Sequence, residues 1–390
     1  MGIKLNIKKL NDVLAVMKTV NDKNARLIIQ PIYETSTLVF FCIQTEYAVM
    51  MTYEDAEGLS KETLPTILNI SLADLTGLVG LADSKTQLEM TALRNGEYMT
   101  LRVLLTSDSE NALSINHDIP AYDEAQNKRS ALSQINFEIL DSLSYENALE
   151  AESHVIVLPR MSTISNLTKC LLSDNTQIIL SAQAQAYATC GSRYAVYITD
   201  SNLGLTATLN VNHAKALCAA FKTIEADNLL CLVDNNQLFI SDDKNQLYVQ
   251  MSLPIAKKNI VQQINGFNTA DYSEHQTTIN KKLLLDGLKA FNVLWHEPQI
   301  SITLSDGKLI INNTISFAAV AEDPSTATYQ LNLQTLQNML QSLTTQYIHL
   351  STTPAVETTD ENNAAEAQQL LRLAEVTENG TLGTKVYSII

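Results

Sequence analysis

The segment Asn6-Ile7-Lys8-Lys9-Leu10-Asn11-Asp12-Val13-Leu14-Ala15-Val16-Met17 places Ile7, Leu10, Leu14 and Met17 on one face of a helix. A single apolar stripe predicts a helix with one buried face. The helical pattern runs on to Lys23, and it recurs over Ser71–Lys85, Arg160–Asp174, Asn210–Asp227, Asn280–Val293 and Asn332–Gln346. In the second stretch the stripe is Leu72, Leu75, Val79 and Ala82, and in the last it is Leu333, Leu336, Leu340 and Leu343. Alternate stretches start at Asn6, Arg160 and Asn280, and at Ser71, Asn210 and Asn332, so the helices group two by two. An internal repeat at this level sets the architecture before any single residue does.

Between the helices lie short alternating or apolar segments: Leu38–Gln44, Gln87–Ala92, Thr100–Leu105, Gln177–Ser181, Leu229–Val233, Leu247–Met251, Gln299–Leu304 and Lys308–Ile311. Turn signals such as Asn95-Gly96, Asp234-Asn235-Asn236 and Asp306-Gly307 separate them. The reading is an α+β protein of three similar domains, each made of two helix-plus-antiparallel-sheet units with helices on one sheet face. The expected bounds are residues 1–128, 129–262 and 263–390. Ser107–Arg129 reads as a strand end plus linker, Asn265–Thr278 as a second linker, and the acidic, Ala-rich Val356–Gln368 as an exposed inserted loop.

Composition fits several domains, because 390 residues exceed the size at which one core keeps growing and 45% of them are hydrophobic. No run of eighteen apolar residues suggests a membrane span, and Met1-Gly2-Ile3-Lys4 does not open a signal peptide. The five cysteines, Cys42, Cys170, Cys190, Cys218 and Cys231, are odd in number, scattered and set in apolar surroundings. They read as buried reduced thiols, which points to the cytoplasm. The six histidines form no metal-binding spacing with them.

Catalytic signatures are missing: the chain has no GxSxG, GxxxxGK[ST] or GxGxxG, and twelve glycines leave little material for phosphate-cradling loops. The expectation is therefore a binding protein with no catalytic residue, metal or cofactor. Charge is unevenly placed. The net charge is −16, yet the six helical stretches hold 12 of the 26 Lys and Arg and only 8 of the 42 Asp and Glu. If the helices share one surface, that surface is basic on an acidic body and attracts phosphates without reading sequence. The alternative is that these lysines only populate solvated helix faces.

Specific residues then point to a family. Ala188-Thr189-Cys190-Gly191-Ser192-Arg193-Tyr194-Ala195-Val196 resembles the Ala-Thr-Asp-Gly-His-Arg-Leu-Ala-Val motif in the second domain of the bacterial β sliding clamp, the processivity ring of DNA polymerase III, with six of nine residues identical. Ser252-Leu253-Pro254-Ile255-Ala256-Lys257-Lys258 is similar to that family's Arg-Phe-Pro-Asp-Tyr-Arg-Arg at the exit of the domain, and Leu283-Leu284-Leu285-Asp286-Gly287-Leu288-Lys289-Ala290 to a leucine-rich helix of the third.

The resemblance implies the DNA-clamp fold and a head-to-tail homodimer ring that encircles double-stranded DNA. It also implies short peptide contacts with DNA polymerase, the clamp loader and other replication and repair proteins. Carried over by position, the partner-peptide cleft would comprise Thr189, Gly191, Ser192, Tyr194, Pro254 and Lys258, with Val386, Tyr387 and Ser388 from the C-terminal segment. The DNA-facing cations would be Lys8, Lys9, Lys18, Arg160, Lys169, Lys215, Lys222, Lys281, Lys282 and Lys289. Three residues of the motif depart from the family: Cys190 for Asp, Ser192 for His and Tyr194 for Leu. The ending Lys385-Val386-Tyr387-Ser388-Ile389-Ile390 differs from Met-Pro-Met-Arg-Leu, so the preferred peptide should differ too. A non-ring interaction scaffold of the same fold is the alternative.

Overall fold

A computed structural model describes the chain outside residues 1, 21, 23, 84, 97, 108–113, 149–155, 160–176, 182–184, 190–193, 199–206, 223–227, 243, 245, 255–265, 267–268, 306, 322–325, 355–368, 379, 381 and 390. The expected helix at Arg160–Asp174 and the loop Val356–Gln368 fall wholly outside the described residues.

Six times the chain repeats a strand and three further strands, and in five of the repeats the described residues place a helix after the first strand. The first repeat is β1 (Ile3–Leu5), α1 (Ile7–Met17), β2 (Arg26–Ile32), β3 (Thr37–Ile43) and β4 (Tyr47–Tyr53). The second is β5 (Leu68–Ser71), α2 (Leu72–Val79), β6 (Thr86–Asn95), β7 (Tyr98–Ser107) and β8 (Ser114–Asp123), followed by two short helices, α3 (Phe137–Ser142) and α4 (Tyr145–Ala148). The third holds β9 (Ile156–Pro159), β10 (Gln177–Ser181), β11 (Gln185–Thr189) and β12 (Tyr194–Ile198). The fourth is β13 (Ala207–Asn210), α5 (Val211–Lys222), β14 (Asn228–Asp234), β15 (Gln237–Asp242) and β16 (Leu247–Ser252). The fifth is β17 (Glu274–Asn280), α6 (Lys281–Trp295), β18 (Gln299–Ser305), β19 (Lys308–Ile311) and β20 (Ile315–Ala321). The sixth is β21 (Ala327–Asn332), α7 (Leu333–Ser342), β22 (Tyr347–Thr352), β23 (Leu370–Val376) and β24 (Leu382–Ile389).

The first strand of every repeat pairs with a strand of its sister repeat, and β5 and β17 also pair with the last strand of their own repeat, β8 and β20. Within each sister pair the first strands are exchanged: β1 pairs with β6 and β5 with β2, β9 with β14 and β13 with β10, β17 with β22 and β21 with β18. Every pairing among the described strands is antiparallel. The chain divides into two compact units, Met1–Met161 with Lys215–Leu253, and Ser162–Ala214 with Pro254–Ile390. Each holds one twelve-stranded sheet, ordered β1-β6-β7-β8-β5-β2-β3-β4-β16-β15-β14-β9 in the first and β13-β10-β11-β12-β24-β23-β22-β17-β20-β19-β18-β21 in the second.

Each described repeat helix starts where a polar side chain receives an orphan N–H. Asn6 accepts from Lys9 N at 3.1 Å, Ser71 from Asp74 N at 3.2 Å, Asn210 from His213 N at 2.8 Å, Asn280 from Leu283 N at 3.2 Å and Asn332 from Thr335 N at 3.0 Å. The same residue is the last or next residue after the repeat's first strand, so one side chain ends the strand and starts the helix. The hairpins follow the turn pairs: Asn235 and Asn236 lie at φ 46 and 62° between β14 and β15, and Gly96 at φ 65° between β6 and β7. The second helix ends at Val79 rather than Lys85, because Gly80 follows and β6 already begins at Thr86.

Two linker expectations are corrected. Ser107–Arg129 contains the ten-residue strand β8, which alternates buried Ile119 and Ala121 with an exposed edge that includes Pro120; the polar edge hid the strand. Asn265–Thr278 likewise contains the start of β17.

In the first unit the central strands are buried on both faces, which explains the unbroken apolar run of β3. One cross-strand row is Leu27, Cys42, Val49, Val249, Ile240 and Cys231; the other is Ile28, Phe41, Met50, Tyr248, Ser241 and Leu230. α1 packs on β3 and β4. The second row is instead covered by the segment after β8, whose Ile135 and Leu143 join Ile28, Phe41, Met50 and Tyr248 in one core. Burial pushes the Cys42 thiol up to about 12 and the Cys231 thiol higher still, so both are inert packing groups.

Removing the cap at Asn332 should cost about 1 kcal/mol in an Asn332→Ala variant and only a few tenths in Asn332→Gly. Leu143→Ala, which empties a fully buried site over the first sheet, should cost about 2–5 kcal/mol. The fall in urea unfolding midpoint should be smallest for Asn332→Gly, larger for Asn332→Ala and largest for Leu143→Ala; a Leu143→Ala midpoint equal to the parent's would mean that the linker does not belong to the core.

Candidate functional site

The motif residues lie on strands joined in register in the second unit. β11 ends at Thr189, which pairs with Ala195 of β12, and β12 then pairs with β24 as Tyr194 to Ser388, Ala195 to Tyr387 and Val196 to Val386. Thr189, Tyr194, Val386, Tyr387 and Ser388 are therefore brought together on three neighbouring strands. Pro254 is half-buried just after β16, while Gly191, Ser192 and Lys258 lie outside the described residues. Val386, Tyr387 and Ser388 are all buried, with Val386 and Tyr387 on opposite faces of the sheet, so none of the three offers much side-chain surface at this junction.

The first unit builds the same junction from β4 and β16: Tyr47 pairs with Met251, Ala48 with Gln250 and Val49 with Val249. Tyr47-Ala48-Val49 and Tyr194-Ala195-Val196 are the same tripeptide on corresponding strands, and Val249 corresponds to Val386. That recurrence is a sequence signal for both junctions, and a search restricted to known motifs overlooks it. At the first junction Gln250 clamps the linker that follows β8, its Nε2 donating to Gln134 O at 2.9 Å and its Oε1 accepting from Asn136 N at 3.1 Å.

The basic helix residues are mostly solvent-facing. Lys8, Lys9 and Lys18 are exposed on or just after α1, Lys215 and Lys222 on α5, and Lys282 and Lys289 on α6. Two make weak exposed pairs, Lys9 with Asp55 at 3.5 Å and Lys289 with Asp286 at 3.9 Å. Lys281 is half-buried and donates from Nζ to Leu343 O at 2.7 Å, so its ammonium caps the C-terminal end of α7. Arg160 and Lys169 lie outside the described residues. Solvated lysines on helix faces offer mobile positive charge and no directional chemistry, which suits a polyanion better than a small ligand.

The sequence reading missed an apolar tip on α6. Val293 and Leu294 are 69% and 65% exposed, beside Trp295 at 40%, and α6 packs on β20, where Val320 is also exposed. In the sequence their apolar character is indistinguishable from that of a buried helix stripe. Among the described residues no group of three or more His, Cys, Asp or Glu is placed to hold a metal ion, and no helix is long and apolar enough to cross a membrane.

No protein-family model and no curated protein sequence matches the chain. Solved structures do. The DNA polymerase III β subunit of Thermotoga maritima superposes with a TM-score of 0.67 at 10% identity, covering 100% of this chain and 98% of that one. The Helicobacter pylori β clamp, solved with a DNA ligase peptide bound, gives 0.67 at 10% identity with 100% and 99% coverage. A putative DNA polymerase III β subunit from Eubacterium rectale gives 0.65 at 11% identity with the same coverage. Six exchanged repeats along the whole length of such chains give this protein the fold of the bacterial β sliding clamp.

Proposed function

We propose that the chain is a sliding clamp: a homodimeric ring that encircles double-stranded DNA in the cytoplasm and tethers DNA polymerase and other replication proteins. The observation that carries this reading is the six-fold repeat with exchanged first strands, spread over the full length of known clamps. Tethering raises the local concentration of a polymerase at the primer end and involves no reaction on the protein itself. The three domains are residues 1–128, 129–262 and 263–390, each holding one exchanged pair of repeats.

Edge pairing supports ring closure. The last strands of the first and fourth repeats pair with each other, as do those of the third and sixth. The last strands of the second and fifth repeats, β8 and β20, keep part of one edge open: Ser114–Pro120 pairs only with β7, and Ile315–Ala318 only with β19, among the described residues. Pairing β8 of one copy with β20 of another would extend the pattern and remove both edges. Such a contact is head-to-tail and closes when the rotation returns to the start. The exposed tip Val293-Leu294, in the same repeat as β20, supplies apolar surface for it.

Exposed lysines of α1, α5 and α6 would face the encircled duplex, and the junction of β12 with β24 would take a partner's extended peptide. The DNA ligase peptide on the Helicobacter pylori clamp supports a peptide-binding role for this fold.

Light scattering should give a dimer for the parent and a monomer for Val293→Asp with Leu294→Asp. A parent that stays monomeric at micromolar concentration would favour the non-ring scaffold. Once loaded on a nicked circle, the ring should survive high salt and fall off when the circle is cut, because a topological link does not depend on ion pairs. Lys8→Glu, Lys9→Glu and Lys282→Glu together should weaken loading and lower the salt slope of the initial DNA-binding step by roughly one for each lysine–phosphate pair removed, with no sequence preference in parent or variant. Lys281→Glu should instead lower the urea midpoint, since it breaks the α7 cap. Equal loading by parent and triple variant at physiological salt would remove these lysines from the DNA path. Tyr194→Ala should weaken binding of a polymerase-derived peptide by about 1–3 kcal/mol in a fluorescence titration while the dimer persists. Unchanged affinity would remove the groove and leave the ring.

A further inference from the structure

The two junctions share a backbone pattern but not a surface. In the first unit the positions flanking Gln250 on the linker-covered face are Phe239 and Tyr248, buried rings 6.5 Å apart and nearly parallel at 29°, sealed beneath Ile135 and Leu143. By register, Gln250 corresponds to Tyr387, Tyr248 to Lys385, and Phe239, the partner of Gln250, to Arg372, the partner of Tyr387. Where one junction closes with a ring pair, the other carries two cations.

Those cations are held in place. Arg372 donates from Nε to Ser351 Oγ at 3.0 Å, and its guanidinium lies 4.6 Å from the centre of the Tyr272 ring, which packs on Tyr387 at 5.5 Å. Ser351, Tyr272 and Tyr387 are all buried, so the guanidinium rests on a fixed floor. Lys385 pairs with Ala374 one step along β23, which sets it diagonal to Arg372 on the same face. Among the described residues neither cation has a carboxylate partner. The nearest carboxylate on β23, Glu375, is buried and accepts from Thr344 Oγ1 at 2.8 Å. In a chain with 42 acidic and 26 basic residues, two adjacent half-buried cations without a counter-ion among the described residues run against the composition.

Burial, and then the charge of Arg372, lowers the Lys385 pKa, and burial lowers that of Arg372. An anion seated between them would offset both effects. The pair shares its face with Tyr387, while the helix-side row runs Leu350, Leu373 and Val386. DNA threaded past the helices would lie on the opposite face, which leaves a protein carboxylate as the fitting anion.

We propose that Arg372 and Lys385 form an acid-recognition site that takes an Asp or Glu side chain of the partner peptide docked at the β12–β24 junction. The site rests on the reading of that junction as the partner groove. It gives this chain a peptide preference of its own, set by a charge and not only by apolar anchors.

The test uses the full-length protein and two series of fluorescent polymerase-derived peptides, one with Asp moved through successive positions and one with Asn at the same positions. At one position Asp should bind about ten-fold tighter than Asn. Lys385→Gln and Arg372→Met should each erase that preference, with the Asn peptide changing less than two-fold, and Lys385→Arg should keep it. Acylation of Lys385 by acetic anhydride, followed by peptide mass mapping, should slow when the Asp peptide is added and not when the Asn peptide is. An Asp preference that survives both neutral variants would overturn the site. So would the lack of any Asp preference while Tyr194→Ala still weakens both series, a result that keeps the groove and discards the charge. If no peptide of either series binds the parent, the groove reading falls and this site falls with it.

Discussion

Strand exchange is the constraint on which the rest depends. A three-residue strand such as β1 cannot hold a register alone, and a repeat that gives away its first strand leaves its own sheet incomplete until a sister repeat fills it. The cap residue that ends the first strand and starts the helix fixes where the chain leaves one sheet and crosses it. Sister repeats must therefore fold as a pair, and a single repeat would expose both an apolar helix stripe and an unpaired edge.

The same logic extends along each sheet. Once the first strands are exchanged, the last strand of a repeat is the remaining edge, and the junctions β4–β16 and β12–β24 remove four of these edges. At both, the last strand of the later repeat puts a fully buried valine at the same register position, Val249 and Val386, because the helix-side core has one shape to fill. The outward row is freer. In the first unit it became apolar and acquired a linker to cover it; in the second it became polar, with Arg372, Ser351 and Lys385 around Tyr387. Packing conserves the backbone of the junction, whereas function and solvent decide its outer face.

Electrostatics runs on a different length scale. Net charge of −16 on the whole chain coexists with exposed lysines on α1, α5 and α6, and a Debye length of about 8 Å at physiological salt keeps the two signs locally distinct. The helix cations are mobile and solvated, which suits contact with any phosphate. Arg372 is fixed by stacking and a hydrogen bond, which suits one carboxylate. Residue counts do not separate these two uses of positive charge; burial and partners do.

Periodicity made the helices legible, with the Arg160–Asp174 stretch outside what the structure describes, and turn pairs such as Asn235-Asn236 marked hairpins, because helix period and left-handed turns are local properties of a few residues. Local pattern also found the Ala188–Val196 motif and the helix lysines. It failed at β8, whose Pro120 and polar edge look like a linker until β7 pairs with it. It failed too at Val293 and Leu294, whose apolar side chains fit a buried stripe yet point outward, and at Lys281, whose ammonium meets a carbonyl 62 residues away. Which strand a repeat exchanges, which carboxylate a cation lacks and which apolar residue stays uncovered are relations between segments distant along the chain. The sequence alone determined the repeat and its period; only the tertiary structure decided these relations, because they follow from register and burial, which no local stretch contains.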